Sequence, residues 1–114
     1  MKILFLLLVS FNAYGACLDD ALTTVGMSDC YIAELKVEEQ KLDGVLNKAY
    51  KKSDWIIKEI IQSQKDWLKY RESHCRAMYA SYGNGTMRLI AHPACMVELT
   101  KERKSQIRIN FIEN

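Results

Sequence analysis

The sequence predicts an all-α fold, a small helical bundle of about three main helices stapled by two disulfides. Its 114 residues include only one proline and five glycines, so few residues interrupt a helix. Apolar residues recur at intervals of three and four, and no stretch of useful length alternates as a strand does. The even set of four cysteines, Cys17, Cys30, Cys75 and Cys95, is the number that two bridges would use.

The first fifteen residues have the pattern of a signal peptide. A cationic start, Met1-Lys2, precedes the apolar run 3–11, and small residues at 13 and 15 suit cleavage before Ala16. The apolar run is too short to span a bilayer, and a buried first strand fits so uninterrupted a run less well. We therefore expect removal of residues 1–15 and a single domain at 16–114, located in the periplasm or secreted.

Lipid anchoring is the alternative to free secretion. Tyr14-Gly15-Ala16-Cys17 resembles the box before the modified cysteine of bacterial lipoproteins, although tyrosine stands where a leucine-like residue is usual. Lipidation of Cys17 would also leave an odd thiol in an oxidising compartment. Free secretion is therefore favoured over anchoring.

The charge balance gives no case for a nucleic-acid partner. The formal net charge is +2, and the acidic and basic residues are interspersed. No segment after the first fifteen residues approaches the length of a membrane span. We expect a protein partner, no nucleic acid and no membrane span.

The first helix is predicted from about Ser28, a candidate N-cap, to near Lys52. The acidic residues Glu34, Glu38 and Glu39 are expected on its solvated side. Its apolar stripe comprises Tyr31, Leu35, Leu42, Val45, Leu46 and Ala49.

The second helix is predicted after the N-cap Ser53-Asp54 and the third from Pro93, a favoured first-turn residue. Gly83-Asn84-Gly85 would end the second, because such residues adopt the left-handed conformation. Its apolar series is Ile57, Ile60, Ile61, Trp67, Leu68, Cys75, Met78 and Tyr82. The third helix would turn Cys95, Leu99, Gln106 and Ile107 inward, and Lys101, Glu102, Lys104 and Arg108 outward.

Three pairings of the cysteines are possible from the sequence, and geometry favours nearest neighbours. A Cys75–Cys95 bridge would clamp the connection 83–92 and stabilise the fold by roughly 3 kcal/mol in the chain-entropy model. A Cys17–Cys30 bridge would pin the N-terminal segment to the first helix. A zinc site at His74, Cys75, His92 and Cys95 is the alternative. Adjacent helical residues diverge by about 100°, however, so we predict no metal site. The sequence has no serine elbow, no glycine-rich phosphate cradle and no carboxylate cluster with metal spacing, so we predict no catalytic residue and no cofactor.

The stretch 64–75, QKDWLKYRESHC, places polar Gln64 and Arg71 on the same helix stripe as Trp67 and Cys75. A buried arginine needs partners, so its stem would pack on Trp67 while its head reaches a neighbouring helix, with Asp43 as one conceivable partner. We interpret Gln64, Trp67 and Arg71 as a structural seam of the bundle.

Several motifs in order resemble the LprI-type lysozyme inhibitor domain, a family of small exported bacterial proteins. Thr24 stands where glutamine is common, and Thr86 replaces a frequent serine. The resemblance implies a secreted or periplasmic, disulfide-stabilised helical domain whose partner is a lysozyme or another peptidoglycan-degrading enzyme. Nothing in the sequence supports an enzyme, so we predict that the protein is not one. The motifs are Thr24-x-x-Met27-x-x-Cys30, Asp43-x-x-Leu46-Asn47-x-x-Tyr50, Gln64-x-x-Trp67-Leu68-x-Tyr70-Arg71-x-x-x-Cys75, Gly83-x-Gly85-Thr86-Met87 and Cys95-x-x-x-Leu99-Thr100-x-x-Arg103.

An inhibitor could plug a lysozyme cleft, which holds two carboxylates, with a rigid loop that offers a cation or hydrogen-bond donors. The candidate is the connection 83–92, with Asn84, Thr86, Met87, Arg88 and His92 as contact residues. In the alternative interpretation, these side chains only pack the loop on the bundle. The alternative function is another periplasmic interaction protein, such as an immunity protein against a wall-degrading toxin or an envelope assembly factor.

Overall fold

The protein folds into three α-helices, as the computed structural model of residues 23–113 shows. Helix α1 spans Thr24–Lys52, α2 spans Ile57–Ser81 and α3 spans Arg88–Phe111, with a 3₁₀ turn at Asp54–Ile56. No strand occurs in this part of the chain. The all-α prediction is confirmed. The signal peptide and Cys17 lie outside the described residues, so these remain predictions.

Helix α1 begins earlier than predicted. Thr23 is its N-cap, and its hydroxyl oxygen accepts a hydrogen bond of 3.0 Å from the backbone N–H of Gly26. The prediction of Ser28 as N-cap is wrong, because Thr23 already supplies the oxygen that the first turn requires. The helix ends at Lys52, as predicted.

Ser53 joins the α1–α2 turn to the end of α3. Its buried hydroxyl donates to the carbonyl of Phe111 over 2.8 Å and makes no cap hydrogen bond to the 3₁₀ turn that follows. Helix α2 therefore begins at Ile57, after the 3₁₀ turn. The serine expected to cap a helix instead connects distant parts of the chain.

Helix α3 begins at Arg88, so the prediction of a start at Pro93 is wrong. The carbonyl of Met87 accepts from the N–H groups of both Ile90 and Ala91, which establishes the helix before the proline. Proline lacks only its own N–H, and this close to the helix start the loss is one backbone hydrogen bond. The connection between α2 and α3 is accordingly short.

Helix α3 packs against both α1 and α2. Gln106, predicted to face inward, is exposed. Ile61, Leu68 and Met78 of α2 and Tyr82 directly after it are also considerably exposed. Helix α2 buries mainly the side that faces α3. The main core consists of Leu42, Leu46, Ala49, Ile60 and Ile107, and a second cluster consists of Cys75, Cys95 and Met96 with Leu35 and Leu99.

Candidate partner-binding site

A disulfide joins Cys75 of α2 to Cys95 of α3, with the two Cα atoms 5.5 Å apart. This confirms the predicted pairing. Cys30 is also buried and disulfide-bonded, whereas its predicted partner Cys17 lies outside the described residues. No cysteine within residues 23–113 is free.

The turn between α2 and α3, residues 82–87, forms an exposed tip beyond the disulfide. Gly83 has a φ of 58°, the left-handed conformation expected of a helix-ending glycine. The N–H of Gly85 donates to the carbonyl of Tyr82 over 3.1 Å, and that of Arg88 donates to the carbonyl of Gly85 over 3.3 Å. These internal hydrogen bonds limit the conformations open to the tip.

The sequence-predicted contact residues divide into two groups. Asn84, Thr86 and Met87 lie on the tip and are exposed, Met87 by 50%. Arg88 and His92 belong to α3, so their assignment to a loop is corrected.

Arg88 and His92 are both half-buried against α2. The Arg88 guanidinium donates to the carbonyl of Gly83 over 3.5 Å and lies 5.4 Å from the ring centroid of Tyr79. The His92 ring meets the same tyrosine edge-on at 6.4 Å between centroids. These two residues brace the tip from behind, and the cation of Arg88 is directed at the protein itself.

Arg71 joins all three helices. It is buried, and its guanidinium donates to the hydroxyl of Thr100 in α3 over 2.9 Å and to the carboxylate of Glu39 in α1 over 3.2 Å. Its guanidinium carbon lies 5.1 Å from the ring centroid of Trp67, within cation–π range. The suggestion of Asp43 as partner is wrong: that residue is exposed, while Glu39, one turn earlier, faces the arginine.

Gln64 contacts a second buried arginine. The Arg103 guanidinium donates to the side-chain oxygen of Gln64 over 3.0 Å and to the hydroxyl of Ser63 over 2.7 Å. Burial lowers the pKa of Arg103, an effect that Tyr50 partly opposes. The Trp67 ring therefore lies near two guanidinium groups, that of Arg71 from α2 and that of Arg103 from α3, whose carbon is 5.9 Å from the ring centroid. Polar contacts therefore hold the α2–α3 interface together around Trp67.

Two carboxylates of α1 are buried against α3, so the expectation of a solvated acidic face is wrong. Glu34 pairs with Lys101 over 2.8 Å, and Glu38 pairs with Lys104 over 3.0 Å. Burial alone would raise the pKa of Glu38, but the hydrogen bond and charge of Lys104, together with Lys41, hold it below the ordinary value. The sequence does contain a sign of this burial: Glu34 and Glu38 continue, at intervals of four residues, the buried stripe of Leu42 and Leu46.

Neither a metal site nor a membrane span is found in the described part of the chain. From 23 to 113, no three histidine, cysteine or acidic side chains lie close enough together to hold a metal ion. None of the three helices has the length and hydropathy needed to cross a bilayer.

Fold and site together define a small helical domain that presents a disulfide-clamped helical hairpin and uses its buried polar groups for packing. The family model described as lysozyme inhibitor LprI matches residues 17–107. The chain belongs to this family. No match was found among curated proteins or among solved structures.

Proposed function

We propose that the protein is exported and inhibits a lysozyme by binding it with the tip of the α2–α3 hairpin, residues 82–87. The family match over 17–107 is the observation that carries the proposal. The signal-like segment 1–15 supports export, as does the Cys75–Cys95 bridge, because such bridges persist in oxidising compartments. Inhibition by binding requires no catalytic group on the inhibitor.

The tip has the chemistry needed to block a cleft lined with carboxylates. In the part of the chain that the structure describes, the backbone N–H groups of Asn84 and Thr86 have no acceptor, so both can donate to a partner. The Asn84 amide and the Thr86 hydroxyl add further donors. Tyr82 and Met87 supply exposed apolar area beside them. Since lysozyme acts through two carboxylates, such donors would bind where its substrate binds.

The rigidity of the tip would favour tight binding. A loop already held in its bound conformation loses little conformational entropy on association. The left-handed Gly83, the internal hydrogen bonds of the turn and the Cys75–Cys95 bridge all limit the conformations available. Arg88 and Tyr79 support the tip from the protein side.

Clearing of a cell-wall suspension by a panel of lysozymes, with and without the purified mature protein, tests the proposal. We expect slower clearing by at least one lysozyme, and about tenfold weaker inhibition when Asn84→Ala and Met87→Ser are combined. Trp55→Ser is the matched control: its side chain is 76% exposed in the α1–α2 turn. The 25-residue helix α2 separates the two turns by roughly 37 Å.

Each outcome of this experiment has a distinct meaning. Full activity of every lysozyme at a large molar excess of the protein would refute inhibition. Inhibition that survives the tip variant but is lost with Trp55→Ser would place the contact at the opposite end of the molecule.

A further inference from the structure

A groove of about 330 Å³ runs between α2 and α3 and borders the hairpin tip at Tyr82. On its other side it adjoins, through Ala94 and Glu98, a surface of α3 that carries Lys101, whose ammonium pairs with the buried carboxylate of Glu34. Its apolar lining includes Met78 of α2 and Tyr82 of the tip, which are 36% and 45% exposed. The lining residues used below are Met78, Tyr82, Glu98, Leu99 and Glu102; His74 of α2 also lines the groove.

The groove carries two carboxylates that lack a cation. Glu98 and Glu102 are exposed and lie one turn apart on α3. Across residues 23–113, neither forms an ion pair or a hydrogen bond.

The cations nearest to these carboxylates along α3 are engaged elsewhere. Lys101 pairs with Glu34, and Lys104 pairs with Glu38. Arg103 is buried with its guanidinium on Gln64 and Ser63. The groove therefore combines an apolar floor with uncompensated negative charge.

We propose that this groove docks a cationic protein surface, one that places a lysine or arginine at Glu98 and Glu102 and an apolar side chain on Met78, Tyr82 and Leu99. Opposite charges steer the encounter, and the apolar floor supplies burial. The inference rests on the proposed function for its natural partner: it identifies the inhibited lysozyme as a basic one, held in the groove beside the tip.

A second copy of the chain fits the groove less well than a cationic partner. In a symmetric dimer the same surface meets itself, so the unpaired carboxylates of the two copies would be brought together. Such juxtaposition of like charges is unfavourable.

A lysine–leucine helical peptide, used as the probe on the full mature protein, tests the groove independently of any lysozyme. We expect the chemical shifts of Met78, Tyr82, Glu98, Leu99 and Glu102 to move on titration, and to move much less with a glutamate–leucine peptide of the same length. The double variant Glu98→Gln, Glu102→Gln should weaken binding about tenfold at low salt, because it removes both partners of the peptide cations. Glu59→Gln, an exposed carboxylate in the first turn of α2, is the control and should bind as the parent does.

Shifts outside the groove, or equal affinity of parent and double variant, would overturn the proposal. So would a dimer in sedimentation experiments that the Met78→Ser variant dissociates, since the groove would then be covered by a second copy. Peptide binding in the groove without inhibition of any lysozyme would uphold the groove and refute the proposed function. Inhibition of lysozyme that the double variant leaves unchanged, together with no peptide binding, would uphold the proposed function and refute the groove.

Discussion

Thr100 shows how one buried polar residue can serve two helices. It is fully buried, and its hydroxyl donates to the carbonyl of Met96 over 2.6 Å while it accepts from Arg71 over 2.9 Å. Both hydrogen-bonding functions of the hydroxyl are therefore used. The Thr100-x-x-Arg103 spacing places two buried polar side chains toward α2, one for Arg71 and one for Gln64.

At the residue scale we predict that Thr100→Val lowers the free energy of unfolding by about 1–3 kcal/mol. Valine has nearly the same shape, so the loss comes from a buried guanidinium N–H of Arg71 that no longer has its acceptor. Urea denaturation of both proteins measures the difference.

Glu39→Gln is the control for that substitution. It weakens the other Arg71 contact, but the Glu39 side chain is 44% exposed, so we expect a loss of about 1 kcal/mol or less. A larger loss for Glu39→Gln than for Thr100→Val would show that the ion pair, and not the buried hydrogen bond, fixes Arg71.

At the scale of the helices, two glycines should respond oppositely to alanine. A Cβ at Gly44, within α1, would meet no atom within 4 Å, so Gly44→Ala should stabilise the protein by about 0.5–1 kcal/mol. Gly83 has a φ of 58°, where alanine is strained, so Gly83→Ala should destabilise it by about 1 kcal/mol. Thermal unfolding compares the two, and Gly83→Asn should cost less than Gly83→Ala. A stabilising effect of Gly83→Ala would contradict the left-handed turn.

The α2–α3 bridge should matter for both stability and inhibition. Replacing Cys75 and Cys95 together by alanine should lower the free energy of unfolding by roughly 3 kcal/mol, since the bridge closes a loop with a sequence separation of 20. The same variant should also inhibit lysozyme more weakly. Denaturant unfolding measures the change in stability, and the clearing assay measures the change in inhibition.

Gly44→Ala in the bridge-free variant is the control, because it restores part of the stability without restoring the clamp. If it also restores inhibition, then the bridge acts only through overall stability. Inhibition that stays weak would show that the clamp itself holds the tip.

The helices themselves could be predicted because apolar spacing and scarce breakers are local properties of the sequence. The start of α3 could not be predicted, because proline is favoured in a first turn and the sequence around it gives no sign that the helix begins five residues earlier, at Arg88. That shift removed Arg88 and His92 from the predicted loop. It left Asn84, Thr86 and Met87 as the exposed tip residues.

The partners of the buried charges depended on tertiary packing. That Arg71 needs a partner followed from the sequence, but the choice of Glu39 over Asp43 depended on how α1 rotates against α2. Glu34 and Glu38 were predicted to be exposed because carboxylates are seldom buried. Their partners, Lys101 and Lys104, lie far away in sequence, so the pairing could not be seen there.

At the scale of the whole molecule, the central position of α3 concentrates charge pairs at its interfaces. Two carboxylates of α1 meet lysines of α3, and a third, Glu39, reaches across to Arg71 of α2. In each pair one member is buried, so loss of its partner leaves that charge without compensation. Stability should therefore depend on the protonation of these groups.

Acid should destabilise the protein partly through Glu38. The pKa of its carboxyl is below the ordinary value of 4.5 in the folded protein: burial opposes this direction, but Lys104 and Lys41 outweigh it. The unfolded chain therefore binds the proton more readily, and the contribution of Glu38 is present above the ordinary value and is lost as the pH falls through the folded pKa. Glu38→Gln should thus unfold more easily at neutral pH, with a smaller further loss of stability in acid.

Urea denaturation across a pH series from neutral to about 3 measures this difference. Glu72→Gln removes one carboxylate from an exposed pair with Arg76 and controls for the change in net charge. The two variants should differ, because Glu38 is 3% exposed and pairs with a lysine of another helix, whereas the Glu72 pair lies within α2 and is open to solvent. If the unfolding free energy of Glu38→Gln fell with acid as steeply as that of Glu72→Gln and the parent, the α1–α3 ion pair would not be a source of the acid sensitivity.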